Sequence, residues 1–254
     1  MKKTAFLKKE FFEIIKTNKI IILPAIFIFF GLLSPLTAKY TPQILESVFK
    51  SYGMASIEMK DSLFTDSYAQ LFKNISQLCF IIILVFAGTI VGEKVKGTVM
   101  LVLTKPVSRS NFIISKFIAA VSLYSISFLL ACIACVYYTF LLFPEYYNSN
   151  LVLSLCTLWA FGAFFIAMTI FSSTITKSFT AASVLGIAGY LLVSGSTIIP
   201  YVRDYSPGIL TSLGLDILTG KSAPTDLIAP LAVTILLAAA FIVGSVYVFK
   251  NQEI

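Results

Sequence analysis

Residues 151–175 read LVLSLCTLWAFGAFFIAMTIFSSTI, a run of 25 residues without a single Asp, Glu, Lys or Arg. A helix of about 20 apolar residues crosses the hydrocarbon core of a bilayer, and one charge at its centre costs about 2.5–3.5 kcal/mol. This run therefore predicts a membrane-spanning helix. Further charge-free runs occupy residues 20–36, 74–92, 117–143, 179–200 and 227–249. Together they predict an all-α, polytopic membrane protein with six transmembrane helices.

The composition of the whole chain agrees with that fold class. Of its 254 residues, 58% are hydrophobic and only 12% are charged, whereas soluble domains are about 25% charged. The chain has no histidine, which excludes Ser-His-Asp triads and His-based metal sites. The predicted spans also lack ionisable carboxylates and lysines, which argues against proton-coupled or ion-coupled transport. We expect no catalytic, cofactor or metal site in this chain.

The basic residues predict the orientation in the membrane. Thirteen of the 19 Lys and Arg residues fall in residues 1–19, 93–116, 176–178 and the tail after residue 249. The segments on the other side carry the remaining six, together with eight acidic residues. Positively charged loops stay in the cytoplasm, so both termini are predicted to be cytoplasmic. Because the charges separate apolar runs rather than forming a basic stripe, we expect lipid headgroups and not nucleic acid as their partners.

The N-terminal segment 3–19 predicts an amphipathic helix lying in the cytoplasmic membrane interface. One helical face carries the apolar residues Phe6, Leu7, Phe11, Ile14 and Ile15, and the lysines lie mostly opposite. The alternative is a lysine-rich start that only sets the topology.

Two outer segments predict short surface helices. In the first, Thr41 is placed to cap a helix, Pro42 suits its first position, and Gly53 suits its end. In the second, Ser206 and Pro207 open the helix, and Gly220 ends it after an apolar face formed by Leu210, Leu213, Ile217 and Leu218.

The inner loop between the second and third spans, residues 93–116, reads EKVKGTVMLVLTKPVSRSNFIISK. Its apolar stretch 99–103 is too short to cross a membrane and has charges on both sides. Gly97 predicts the end of the preceding helix, Thr98 the cap of a new one, and Pro106 its end; Ser108 or Ser110 can start the third span. An exposed apolar patch bordered by charge indicates a site for a protein partner.

This inner-loop pattern resembles the signature of ABC-2-type transporter permeases. It consists of Glu93, then Gly97 and Thr98, five apolar residues, and Thr104 to Arg109 followed by Lys116. The basic start, the six spans and the Ser206-Pro207 segment extend the resemblance over the chain, which is expected to form a single transmembrane domain, 1–254.

The resemblance implies a function and its residues. The implied permease subunit exports a substrate across a bacterial plasma membrane. The apolar, hydroxyl-bearing spans suit a hydrophobic or amphipathic cargo, such as a peptide antibiotic or a lipid-like molecule, although ordinary helix packing would give the same composition. Its implied partners are two copies of a separate cytoplasmic ATPase, which would bind ATP and Mg²⁺, and a second permease protomer, identical or related. The residues implied to form the coupling helix are Glu93, Gly97, Thr98, Thr104, Pro106 and Arg109.

Two other classes of function stay open at this point. A membrane anchor or assembly protein would recruit a cytoplasmic partner without moving a substrate. A membrane-embedded enzyme acting on lipids is the less favoured alternative, because the spans contain no histidine and no acidic residue.

Overall fold

The computed structural model describes residues 3–52, 62–99 and 108–252. These residues form nine α-helices and one 3-10 turn, with no strand among them. The helices are α1 (Lys3–Lys16), α2 (Lys19–Ser51), α3 (Phe64–Val95), α4 (Arg109–Leu142), α5 (Leu151–Ile175), α6 (Phe179–Ser196), α7 (Pro200–Arg203), α8 (Ile209–Leu218) and α9 (Ile228–Asn251); the 3-10 turn Pro224–Leu227 precedes α9.

Within these residues, six helices are long and apolar enough to cross a membrane, as the sequence predicts: α2 to α6, and α9 with its 3-10 turn. Helices α2, α3 and α4 contain 33, 32 and 34 residues. At 1.5 Å per residue they are roughly 50 Å long, well beyond the hydrocarbon thickness of about 30 Å. Their ends therefore extend past the predicted spans and carry the polar groups described below.

Helix α5, which contains the run quoted first, is the centre of the bundle. It packs against α3, α9, α6, α8 and α4, and most of its side chains are buried. A helix that is apolar on every side suits this position, because each face meets another helix. At Gly162 the Tyr124 ring of α4 approaches so closely that a Cβ atom would overlap its Cζ atom.

Helices α2 and α4 form the most extensive helix pair, and they touch through their backbones. A Cβ atom on Gly31 would lie 2.5 Å from the carbonyl oxygen of Ala131 and 2.9 Å from its Cα atom. Small residues allow such close approach between membrane helices, where dispersion contacts replace the hydrophobic effect as the driving force.

The prediction of a separate short outer helix starting at Thr41 is wrong, because α2 continues without interruption to Ser51. Pro42 cannot donate the helical hydrogen bond to the carbonyl of Ala38, which would normally end or kink a helix. The Ser62 hydroxyl donates to that carbonyl instead, at 2.8 Å. Gly53, predicted to end the helix, lies outside the described residues.

The second outer helix is confirmed, with a later start than predicted. Helix α8 begins at Ile209 rather than at Pro207, and the Ser206 hydroxyl accepts a hydrogen bond from the Gly208 backbone nitrogen at 3.1 Å. The predicted inner face, Leu210, Leu213, Ile217 and Leu218, is buried. Gly220 follows the helix with a positive φ of 75°.

Helix α1 forms where the sequence predicts it, but its buried face differs from the predicted one. Phe6 and Glu10 are buried against the bundle, whereas Phe11 and Ile15, predicted on the same face as Phe6, are exposed. The exposed apolar side chains point away from the bundle. The reason is a set of ion pairs that draws Glu10 inward.

Candidate coupling site at the termini end

One end of the bundle, here called the termini end, brings together both ends of the chain and the base of the inner loop. Lys116 of α4 reaches Glu10 of α1, and Arg109 of α4 reaches the last turn of α9. Helix α3 ends at this level and α4 begins there. The segment 93–109, which resembles a coupling helix, is therefore anchored at both of its ends here.

At the start of this segment, helix α3 has a well-defined C-terminal end. Helix α3 ends at Val95, and Gly97 follows with a positive φ of 68°, a conformation that glycine adopts without strain. The Thr98 hydroxyl donates to the carbonyl of Glu93 at 3.2 Å, one of the carbonyls left free at the helix end. Thr104 and Pro106 lie outside the described residues. At the far side, Ser108 caps α4 by accepting from the backbone nitrogen of Asn111 at 3.2 Å.

A buried ion-pair cluster joins α1, α3 and α4 next to this segment. The Lys116 Nζ atom lies 3.0 Å from Glu10 Oε2 and 2.8 Å from Glu93 Oε1, and the Lys116 side chain is only 1% exposed. Lys9 Nζ lies 3.0 Å from Glu10 Oε1 and 3.0 Å from Glu93 Oε1. Lys9 also pairs with Glu13 at 2.8 Å, one turn further along α1. Below, the ionic cluster means these five residues: Lys9, Glu10, Glu13, Glu93 and Lys116.

The pKa values of Lys9 and Glu13 depend on the neighbouring charges of the ionic cluster. Burial alone lowers the pKa of Lys9, but the hydrogen bond to Glu13 and the charges of Glu10 and Glu93 outweigh it, so the pKa is raised. Burial likewise acts to raise the pKa of Glu13, but the hydrogen bond from Lys9 and the charge of Lys116 lower it overall. Both groups are therefore held in their charged forms around neutral pH.

Three carboxylates of the cluster, from Glu10, Glu13 and Glu93, bring oxygen atoms within 4.8 Å of one another. Such a set resembles a cation site by ligand type alone. The ammonium groups of Lys9 and Lys116 lie between these carboxylates and would repel a metal ion. The arrangement is therefore an ion-pair network rather than a metal centre.

Arg109, which the resemblance assigns to the coupling helix, binds the end of α9. One guanidinium nitrogen, Nη1, donates to the carbonyl oxygens of Phe249, Lys250 and Gln252 at 3.2, 2.6 and 3.0 Å. These carbonyls are free because they end α9, and a cation at a helix C-terminus is stabilised by the helix dipole. Arg109 therefore joins the start of α4 to the end of α9.

A second contact holds the end of α9 to the rest of the termini end. The side-chain amide of Gln252 donates to the carbonyl of Thr174 at 3.0 Å, and Lys94 donates to the same carbonyl. Thr174 belongs to the last turn of α5. Helices α1, α3, α4, α5 and α9 are thus connected at this level through side chains that reach backbone or charged groups.

The sequence pattern pointed to Glu93 and Lys116 but missed Lys9 and Glu10 as their partners. These pairs join positions 84 and 106 residues apart, a separation that no local pattern displays. The available signal was an acidic residue, Glu10, four positions after Phe6 on the face that packs against the bundle. The arrangement connects helices and carries no group aligned for bond chemistry among the described residues.

The fold and this site define a multi-pass helical membrane protein whose polar residues connect helices at one end. The family model for ABC-2 family transporter proteins matches residues 4–202, more than half of the chain. The chain belongs to this family. It is also similar to the uncharacterized transmembrane protein YxlG of Bacillus subtilis strain 168, with 29% identity over 188 residues, which cover 72% of this chain and 71% of that protein.

Family membership gives the chain a general role. Proteins of this family form the transmembrane component of ABC transporters, which work with a cytoplasmic ATPase. The chain is accordingly an ABC transporter membrane subunit and not itself the ATPase.

Proposed function

We propose that the chain is the permease of an exporter and that segment 93–116 couples it to two cytoplasmic ATPase subunits. The ATPase subunits would bind ATP and Mg²⁺, and a second permease, identical or related, would complete the transporter. The observation that carries this proposal is the ionic cluster, because Lys116 joins Glu10 and Glu93 at the base of the segment. Movement of the segment would be passed directly to α1, α3 and α4.

The proposed mechanism is a rigid-body shift. ATP-driven closure of the two ATPase subunits would push segment 93–116, which connects α3 to α4. Because buried ion pairs resist separation, α1 would move together with these two helices rather than slide past them. Such a shift changes access to a path between two protomers.

The orientation in this proposal follows from charge. Thirteen of the 19 basic residues fall in four segments whose described parts lie at the termini end, so this end would face the cytoplasm under the positive-inside rule. The exposed Phe11, Phe12 and Ile15 of α1 would then enter the inner headgroup region, as in interfacial helices. In this proposal the protein lies in the bacterial plasma membrane with both termini inside.

The proposed cargo is hydrophobic or amphipathic. The predicted spans carry hydroxyl and amide groups but no Asp, Glu, Lys or Arg. A path lined in this way suits a peptide antibiotic or a lipid-like molecule better than a small inorganic ion, which needs charged or carbonyl ligands in the membrane. Transport of small inorganic ions alone, measured with reconstituted vesicles, would contradict this cargo class.

The coupling proposal is tested with the full-length permease and the cytoplasmic ABC ATPase that co-purifies with it, reconstituted together in nanodiscs. We expect Glu93→Ala and Pro106→Gly to lower the rate of permease-dependent ATP hydrolysis roughly two- to thirtyfold. This range corresponds to a loss of about 0.5–2 kcal/mol of coupling free energy. Membrane insertion should be unchanged in both. Glu145→Ala, an exposed residue before α5, is the matched control.

Two outcomes would overturn the assignment. Unchanged ATP hydrolysis in both variants would show that segment 93–116 takes no part in coupling. Stable co-purification without any permease-dependent hydrolysis would favour the membrane anchor.

A further inference from the structure

A cavity of about 520 Å³ lies at the termini end between α1, the first turn of α2, the last turns of α3 and the start of α4. Its volume falls within the range of about 300–1,000 Å³ that is typical of small-molecule sites. The ionic cluster forms one wall, and Phe86, Ala119 and Ala120 form an apolar wall toward the middle of the bundle. The proposed coupling role uses the ionic cluster but not this space.

Two polar atoms on α3 border the cavity without a protein partner. Thr89 Oγ1 and Glu93 Oε2 are buried, and neither has a hydrogen-bond partner among the described residues. They lie about one turn apart on α3. The other carboxylate oxygen of Glu93 already accepts from Lys9 and Lys116. A buried acceptor without a partner is costly, so these two atoms indicate a bound group that donates hydrogen bonds.

A cation borders the same cavity without a direct ion pair among the described residues. Lys19 has no carboxylate within 4.0 Å in the described part of the chain, and its Nζ atom lies 5.8 Å from the centre of the Phe86 ring. Lys96 also lines the cavity without an ion pair among these residues. These two ammonium groups can bind an anion such as a phosphate.

The charges around the cavity separate into two unmatched parts. Lys9 and Lys116 balance two of the three cluster glutamates, so the ionic cluster keeps one net negative charge, and Glu93 Oε2 is its buried carboxylate oxygen without a partner among the described residues. Lys19 and Lys96 leave positive charge in excess. A ligand with one anionic and one cationic group complements both parts.

The groups that line the cavity lie at different distances from the middle of the bundle. Along α3, Phe86 lies about 10 Å nearer the middle of the bundle than Glu93, so the groups around Lys19 are deeper than the free glutamate oxygen. In a phospholipid, acyl chains are deepest, the phosphate lies next, and a terminal ammonium is nearest to water. The apolar wall, Lys19 and Glu93 follow the same order.

We propose that this cavity binds a zwitterionic group in which a phosphate is joined to a primary ammonium. Lys19 would hold the phosphate, and Glu93 Oε2 with Thr89 Oγ1 would accept from the ammonium. Its source would be a phospholipid of the inner leaflet or a soluble phosphate ester of the same chemistry. This inference goes beyond the proposed coupling and holds whether or not the chain drives export.

The experiment uses the full-length protein, delipidated in detergent, and native mass spectrometry with added lipid. Dioleoyl-phosphatidylethanolamine should bind about tenfold more tightly than the phosphatidylglycerol or phosphatidylcholine analogue, a difference of about 1.4 kcal/mol. Phosphatidylglycerol lacks the ammonium, and phosphatidylcholine cannot donate a hydrogen bond from its quaternary nitrogen. Soluble glycerophosphoethanolamine separates the sources, because equal affinity for it would assign the site to a soluble ester.

Two variants locate the binding. Gly92→Leu fills the cavity, since a Cβ on Gly92 meets no atom within 4 Å, and Lys19→Gln removes the free cation. Both should lower the affinity at least about fivefold, or about 1 kcal/mol, without lowering the melting temperature. Gly195→Leu, whose Cβ also meets open space, is the control. Equal affinities for the three lipids, or unchanged binding by both variants, would overturn the proposal and leave bound water as the partner of the two oxygens.

Discussion

Helix α3 is joined to its neighbours by two polar networks of opposite character. At the termini end, Glu93 belongs to the ionic cluster with α1 and α4. Toward the opposite end, neutral groups make the contacts. Asn74 donates to the Ser34 hydroxyl of α2 at 2.9 Å, and the hydroxyls of Ser67 and Thr139 of α4 lie 2.6 Å apart.

The difference follows from depth and has a mechanical consequence. Charges are expensive within the hydrocarbon core, so only neutral groups connect the helices there, whereas lysines and glutamates are tolerated near a membrane surface. Neutral hydrogen bonds between membrane helices contribute about 0.6 kcal/mol on average, but breaking a buried ion pair costs about 3–5 kcal/mol. The two ends of α3 should therefore respond very differently to mutation.

The largest expected effect comes from Lys116→Met. Removing this ammonium leaves the carboxylates of Glu10 and Glu93 buried with only the half-exposed Lys9 between them. The folded state should lose roughly 3–5 kcal/mol, measured as a lower melting temperature of the purified protein. Lys177→Met removes an exposed lysine and serves as the control.

A triple variant tells stability and coupling apart. Replacing Lys116 by Met together with Glu10→Gln and Glu93→Gln removes the buried charges rather than exposing them, so much of the stability should return. Permease-dependent ATP hydrolysis should stay low. If Lys116→Met melts like the unaltered protein, the ionic cluster does not connect these helices.

The next effect tests a contact that uses no polar side chain. Gly31→Leu places atoms against the backbone of Ala131, where neither helix can yield without separating. Overpacking of this kind costs about 1–3 kcal/mol and should lower the yield of monodisperse protein. The Gly195→Leu control has open space around its Cβ and should behave like the unaltered chain. A normal yield and melting temperature for Gly31→Leu would contradict the close α2–α4 crossing.

The spans were predictable because the bilayer imposes one strong requirement, a charge-free helix of sufficient length. Helix ends with a local cause were predictable too, as at Gly97, Ser108 and Gly220. The helix start predicted at Pro42 was wrong, because α2 continues through this residue and the Ser62 hydroxyl, twenty residues later in the chain, replaces the missing donor. Tertiary contacts can override a local signal whenever they supply the lost hydrogen bond.

The candidate site was only half visible in the sequence. Glu93, Gly97 and Lys116 stood in a recognisable pattern, but Lys9, the second lysine that pairs with Glu93, comes from α1, far away in the chain. Arg109 stood in the same pattern, yet its guanidinium caps α9, 140 residues further on. Its role in coupling stays a prediction, and the C-terminal contact shows that a pattern can identify a residue without identifying its neighbours.

A smaller effect is expected at the neutral end of α3. Asn74→Leu removes the hydrogen bond to Ser34 and the one accepted from Gln70, which lies 3.2 Å away. Bonds of this type in membrane proteins contribute about 0.6 kcal/mol on average and about 1.7 kcal/mol at most. The melting temperature should fall by clearly less than for Lys116→Met. An equal or larger fall would reverse the comparison between the two ends of α3.

The smallest expected effect is the contribution of Glu13 to stability, which should disappear at acidic pH. Burial acts to raise the pKa of Glu13, but the hydrogen bond from Lys9 and the charge of Lys116 lower it below the ordinary value of 4.5. A lowered folded-state pKa stabilises the protein above pH 4.5, and the contribution is lost as pH falls through the folded value. The melting-temperature difference between the unaltered chain and Glu13→Gln should therefore be constant near neutral pH and vanish in acid. Because the Glu13 side chain is 45% exposed, solvent screens its ion pair with Lys9, and the difference in melting temperature stays small. A difference that grew in acid would mean that Lys9 does not stabilise the charged form of Glu13.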